Sequence, residues 1–458
     1  MRQPLFGLSA AGYRLEGGFN GYGEPANNWT ASERAGKVPL APRPSPGIWE
    51  DPGPVLELAS AAGAESLALS VEWARIEPRP GVFDETAVER YAATFAAAAA
   101  RGIAPVAVLH DDAHPAWLGE EFWLTPGAPD RFSDHVARLV APLSPFCRHW
   151  VTLRRPNLVA LAGWVDGRSP PRRLGALADA WAVIDNFLAA HLLAYGAIRE
   201  VQPGAEVLLG LRWSSSYDWH RLMLDLLCAP ALGVERDGVD AWIADRRARH
   251  DEVAAPAGLG ELAWRRLAAA TAPFGSGRLA RPSPRRALDL AYRLAADRAP
   301  VPGGSNGSAP AGGRGYPLDA LLLGWCPPHA VATSRPPARA ASPGSRPDPD
   351  GLGAWCRAQA DATPGLALWV EDGFATRPGA PRADGWDRRS YLRAQGAALR
   401  RAAARDGVPV GGYLYFSPGR GGEPTWPEAD FGLGRDAPDY RRLVAGGPPS
   451  SDPSPEPV

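Results

Sequence analysis

A chain of 458 residues with 45% hydrophobic and 9% aromatic side chains can bury a large core, and a single β/α barrel can use nearly all of that length. Its 49 basic and 50 acidic residues leave a formal net charge of −1, which argues against nucleic acid or an anionic membrane as a partner.

Short apolar runs recur from the N-terminus onward: LFGLS (5–9), SLALSVEW (66–73), APVAVLH (104–110), WVTL (150–153), EVLLGL (206–211), DALLLGW (319–325), LALWVE (366–371) and GGYLYFS (411–417). Each has the length and branching of a buried strand. Between them lie amphipathic Ala/Leu/Arg segments, and the pattern predicts helices over 84–101, 130–142, 176–200 and 388–405. Strands alternating with helices predict an α/β fold with a parallel sheet. Eight of them predict a closed (β/α)8 TIM barrel over 1–445, a single domain with its site at the C-terminal strand ends. The doubly wound alternative lacks a Gly-rich phosphate loop after the first strand. Residues 273–316 and 327–351, rich in Pro, Arg, Ser and Gly, read as long flexible loops, and 446–458 as a disordered tail.

Cys147, Cys228, Cys326 and Cys356 form no CxxC pair, so neither a zinc site nor a disulfide framework is expected. The opening MRQPLFGLSAAGYRLEG lacks a basic segment followed by an apolar core, and no apolar run reads as long enough to span a bilayer. The expectation is a soluble, cytoplasmic protein. No oligomeric state is assigned.

Motifs at the strand ends carry a resemblance. FGLSAAGYRLEGG (6–18), SVEWARIEP (70–78), HPAWL (114–118), WVTLRRPN (150–157), LWVEDG (368–373) and GYLYFS followed by Glu423 stand in the order found in glycoside hydrolase family 1. These are the β-glucosidase-like retaining β-glycosidases, and the look is closest to archaeal-type and actinobacterial members. The chemistry of that family needs two carboxylates roughly 5–5.5 Å apart, one as nucleophile and one as acid/base. By resemblance Glu371 holds the nucleophile position, Arg75 stands beside it as a cation, and Glu423 falls where sugar hydroxyls are bound; the family Trp after it is Pro424 here, with Trp426 as a partial substitute.

Other positions depart from the family pattern. The acid/base carboxylate aligns with Arg155, and the neighbouring sugar-binding Asn with Arg154. Arg14 replaces a sugar-binding Gln, and Asp111 and Asp112 replace a sugar-binding His and an aromatic. The sixth-strand Tyr has become Trp325 or Cys326. A guanidinium stays protonated at ordinary pH and cannot cycle a proton. Unpaired buried charges are costly, so Arg14, Arg154 or Arg155 is expected to pair with Asp111, Asp112 or Glu371. Any guanidinium left over would form a fork suited to phosphate or carboxylate.

His110, Asp111, Asp112 and His114 resemble a metal-ligand set in composition, but the family motif accounts for His114-Pro115, so no metal or cofactor is assigned. The resemblance implies a retaining β-glycosidase, and the departures from its pattern point to a pseudoenzyme holding a small carbohydrate or anionic ligand. The alternative is an altered but active retaining β-glycosidase that uses Glu371 on substrates with good leaving groups. A different chemistry on the same scaffold stays open as well.

Overall fold

All eight apolar runs become strands: β1 (Leu5–Ser9), β2 (Ser66–Ser70), β3 (Ala104–Val108), β4 (His149–Val151), β5 (Glu206–Arg212), β6 (Ala320–Gly324), β7 (Ala367–Asp372) and β8 (Val410–Phe416). The structure is a computed structural model, and it describes residues 4–17, 24–37, 47–214, 216–254, 284–297, 315–325, 347–374, 382, 384–416, 433 and 436–444. Every strand pairs in parallel with its sequence neighbour, and β8 returns to β1 through Leu5↔Gly412 to Ser9↔Phe416, closing the barrel.

The strands read as unbroken apolar runs because both faces are covered. Ala68, Val106, Val108, Val151, Leu208, Leu322, Trp369 and Leu414 fill the interior of the barrel. The alternate residues, among them Leu67, Leu69, Ala107, Trp150, Leu209 and Val370, pack outward against the helices. This is the two-residue period of a strand, with each face buried in a different layer.

The four expected helices are Glu85–Ala99, Ala128–Leu143, Leu177–Val201 and Arg388–Ala404. Local chemistry sets two of the starts. The Asp84 side chain accepts from the Ala87 amide at 3.1 Å, and Asp387 with Ser390 forms a capping box. Three readings change. The second strand stops at Ser70, and Trp73, read as its last residue, opens a short helix, Trp73–Ile76. The 273–316 loop contains a helix, Arg285–Asp297, whose Ala287, Leu288 and Ala291 are buried at helical spacing beneath an arginine-rich exterior. The 327–351 loop ends in the first turn of Pro349–Ala362, capped by Asp348. Residues 327–346 of that loop and the 446–458 tail lie outside the described residues, as do 273–283 and 298–314.

Leu177–Val201 also corrects the membrane reading. It is long and apolar enough to cross a bilayer, with mean hydropathy 1.3, but 72% of that window is buried against the protein. It packs with Ala128–Leu143 as a core helix. Cys147, Cys228 and Cys356 are buried free thiols.

Candidate active site

The C-terminal ends of the strands bring most of the singled-out residues to one mouth of the barrel. Arg14 follows β1, Asp111 and Asp112 follow β3, Arg154 and Arg155 follow β4, Trp325 follows β6, and Glu371 stands near the end of β7. Backbone pairing fixes them there. The Arg154 amide donates to His110 O at 2.8 Å, the Arg155 amide to Gly210 O at 3.1 Å, and the Trp325 amide to Glu371 O at 2.8 Å.

Arg154 is the centre of the arrangement. Its Nε and Nη2 donate to the two oxygens of Glu371 at 3.0 and 2.7 Å. Its Nη1 donates to Asp111 Oδ2 at 2.6 Å and to Ala11 O at 3.1 Å. Only 1% of this side chain is exposed, against 8% for Asp111 and 5% for Glu371. A planar fork that meets a carboxylate with two donors is the strongest form of side-chain ion pair. Burial alone would push the Glu371 carboxyl up, but Arg154 and then Arg155 hold it below its ordinary value. Burial likewise opposes the Arg154 charge, and Asp111 and Glu371 more than restore it.

Arg155 is placed differently. Its backbone is left-handed at φ 61°, its side chain is 21% exposed, and its Nη2 reaches Asp111 Oδ1 only at 3.8 Å. Burial, then Arg154, lowers its affinity for its proton. Asp112 is also left-handed, at φ 60°, with its carbonyl held by Asn28 Nδ2 and Trp29 Nε1. Non-glycine residues in this region carry strain, and two of the three such residues in the described chain lie at this mouth. Burial and the neighbouring Asp111 raise the Asp112 carboxyl to about 7, against the pull of Arg14, Arg155 and Arg154.

The expected pairing of an arginine with Asp111 or Glu371 is therefore present, through Arg154. Two residues sit elsewhere than expected. Arg14 donates to Glu33 at 3.4 Å and lies 4.4 Å over the Trp29 ring. Arg75 turns to Glu16 at 3.2 Å, Glu24 at 3.0 Å and Gly17 O at 2.6 Å, and lies over Trp49 at 4.0 Å. The cation on Glu371 is Arg154, which approaches from β4 and leaves the Arg75 guanidinium to the carboxylates after β1. Glu16 itself is raised to about 7, first by burial and against the pull of Arg75.

Trp325 is buried against Trp213, ring centroids 5.5 Å apart. Cys326, Glu423 and Trp426 lie outside the described residues. The rings of His110 and His114 serve the packing. His110 meets Trp123 and Phe187 at 5.0 and 5.6 Å, and His114 Nε2 lies 3.0 Å from Gly119 O. Among the described residues no group of three or more His, Cys, Asp and Glu is placed to hold a metal ion.

Sequence reasoning missed Glu33 and Glu16 as the partners of Arg14 and Arg75, and missed Arg212 and Gly210 on β5. Arg212 had a signal, since it directly follows an apolar strand run, the position that marks Glu371. Gly210 lets the β4 end lie across β5: a Cβ there would stand 3.0 Å from Arg154 Cα and 3.3 Å from the Arg155 amide nitrogen.

A closed parallel barrel with ionisable residues gathered at its C-terminal mouth is the arrangement of a (β/α)8 TIM barrel. Residues 2–229 match the model of glycosyl hydrolase family 1. The chain is 25% identical over 228 residues to a cyanidin 3-O-glucoside 7-O-glucosyltransferase (acyl-glucose) of Delphinium grandiflorum, covering 45% of this chain and 44% of that protein. It is 28% identical over 195 residues to 6-phospho-β-galactosidase 1 of Streptococcus pneumoniae, covering 42% and 41%. It is 25% identical over 241 residues to Klotho of Rattus norvegicus, covering 46% and 23%. The match thus spans less than half the length of these curated relatives. The fold is similar over nearly the whole chain to the β-glucosidase of Thermotoga maritima solved with deoxynojirimycin, at TM-score 0.68 and 16% identity, covering 98% and 99%. A rice β-glucosidase solved in a covalent complex with glucose is similar at TM-score 0.67 and 16% identity, covering 96% and 97%.

Proposed function

We propose that this chain is a family 1 barrel whose β-glycoside hydrolysis is lost or strongly reduced, and that it survives as a protein binding a small carbohydrate or anionic ligand. One observation carries the reading: both oxygens of Glu371 are occupied by the Arg154 fork, which Asp111 holds from its other side. Retaining hydrolysis needs a carboxylate free to attack the anomeric carbon and a second group that gives and retakes a proton. Here the first is bound into a buried ion pair. The second position holds Arg155, whose guanidinium cannot exchange a proton in the neutral range.

A second reading, an altered but active glycosidase, is favoured by one feature. Glu371 is kept ionised, as a nucleophile must be, and Asp112 at the same mouth is raised to about 7, where proton transfer at neutral pH is easiest.

Burst kinetics separate the two. An aryl β-glycoside with a strongly acidic phenol as leaving group needs no acid to depart, so a live Glu371 would release phenol in a burst equal to the enzyme concentration. Across β-glucosides, β-galactosides and their 6-phosphates, with and without azide as an external nucleophile, the expected result is no burst and no azide acceleration. A stoichiometric burst that disappears in Glu371→Gln would overturn the proposal.

A further inference from the structure

Arg154 takes up Asp111 and Glu371, and two other cations are left over. Arg155 has one ion pair among the described residues, the 3.8 Å contact to Asp111, whose other oxygen already takes Arg154 at 2.6 Å. Arg212 ends β5, and its backbone is held by Asn157, whose side chain accepts from Arg212 N at 2.9 Å and donates to Arg212 O at 2.7 Å. The Arg212 guanidinium makes no hydrogen bond or ion pair among the described residues. The two arginines stand at the ends of the adjacent strands β4 and β5, and both border Gly324 of β6. An added Cβ on Gly324 would stand 3.4 Å from Arg155 Cδ and 3.5 Å from Arg212 Cα, so both arginines pack against the bare backbone there. Arg155 and Arg212 also repel each other electrostatically, part of what lowers the Arg155 pKa after burial and Arg154.

Three guanidiniums, Arg154, Arg155 and Arg212, thus face two carboxylates, Asp111 and Glu371. Asp112, raised to about 7, adds less than a full negative charge at neutral pH. Donors in excess of acceptors at one place are the recognition chemistry of an oxyanion.

We propose that Arg155 and Arg212, at the ends of β4 and β5, form a binding site for an oxyanion carried on a sugar. The shared chemistry is a tetrahedral or planar group of negatively charged oxygens: phosphate, sulfate or carboxylate. The inference rests on the preceding reading in that the ligand is held and not cleaved. It adds which residues hold it and that a neutral sugar is not the preferred occupant.

Isothermal titration of the full chain tests it, with inorganic phosphate, inorganic sulfate, glucuronate, glucose 6-phosphate and glucose as separate titrants. The expected result is saturable binding of at least one oxyanion with one site per chain, and glucose at least about tenfold weaker. The titrants separate phosphate, sulfate and carboxylate. Arg212→Gln and Arg155→Asn should each weaken the bound oxyanion by on the order of tenfold, the size of a lost charge-assisted hydrogen bond. Asn is chosen at 155 because it tolerates a left-handed backbone. Absence of saturable oxyanion binding, glucose binding equally well, or an affinity unchanged in either variant would overturn the proposal. Those outcomes leave the burst result untouched, since it reads Glu371 whereas this titration reads Arg155 and Arg212.

Discussion

Arg154 and Arg155 are adjacent in sequence and identical in chemistry, yet the barrel uses them in opposite ways. Arg154 points into the mouth, where it meets two carboxylates and a carbonyl and is almost wholly buried. Arg155 takes a left-handed backbone and lies beside β6, where no carboxylate among the described residues closes on it within hydrogen-bond distance. The energetics follow from that difference. Replacing Arg154 strands Asp111 and Glu371 as buried charges, and breaking a buried pair by removing one partner costs about 3–5 kcal/mol. Replacing Arg155 removes a repulsion along with a long ion pair. Arg154→Met is therefore expected to lower the free energy of unfolding in urea by about 3–5 kcal/mol, and Arg155→Asn by less than about 1 kcal/mol. Equal losses in the two variants would contradict the division of roles.

Among the elements, the strand ends do the positioning, and the sequence shows this in part. All eight strands are readable as apolar runs, because a parallel barrel buries both faces of each strand and leaves no polar alternation to confuse them. The arginine-rich helix Arg285–Asp297 is hidden inside a stretch whose Pro and Gly content dominates the reading, although its buried Ala287, Leu288 and Ala291 carry the helical period. Side-chain partners are less legible. Position along the chain places Arg75 near the mouth, but which carboxylate it meets depends on the short helices after β1 and β2, and those bring it Glu16. The β4–β5 contact shows how tightly the Arg154 backbone is set. A methyl at Gly210 would press on Arg154 Cα and Leu153 O, both at 3.0 Å, and backbone atoms in a closed sheet cannot move aside cheaply. Gly210→Ala is expected to cost about 1–3 kcal/mol in a denaturation experiment. A variant as stable as the parent would mean that the β4 end is free to shift.

Across the whole molecule, a closed sheet and a two-layer core carry the family resemblance, with the family model covering residues 2–229 and the fold shared along nearly the entire chain. The mouth is built from charges that compensate one another: Arg14 with Glu33, Arg154 with Asp111 and Glu371, Arg75 with Glu16 and Glu24. That such charges must pair follows from desolvation cost alone and needs no coordinates. Which pairs form, and that Arg155 and Arg212 are left over, depends on how the strand ends meet in three dimensions. In the proposed reading the Arg154 fork keeps Glu371 from acting as a nucleophile. Activated 2-deoxy-2-fluoro β-glycosides trap a retaining nucleophile as a stable ester, so the intact mass of the protein after prolonged incubation with several such sugars reports on Glu371 directly. An unchanged mass with every sugar is the expected result; a covalent fluoroglycosyl adduct mapping to Glu371 would contradict it.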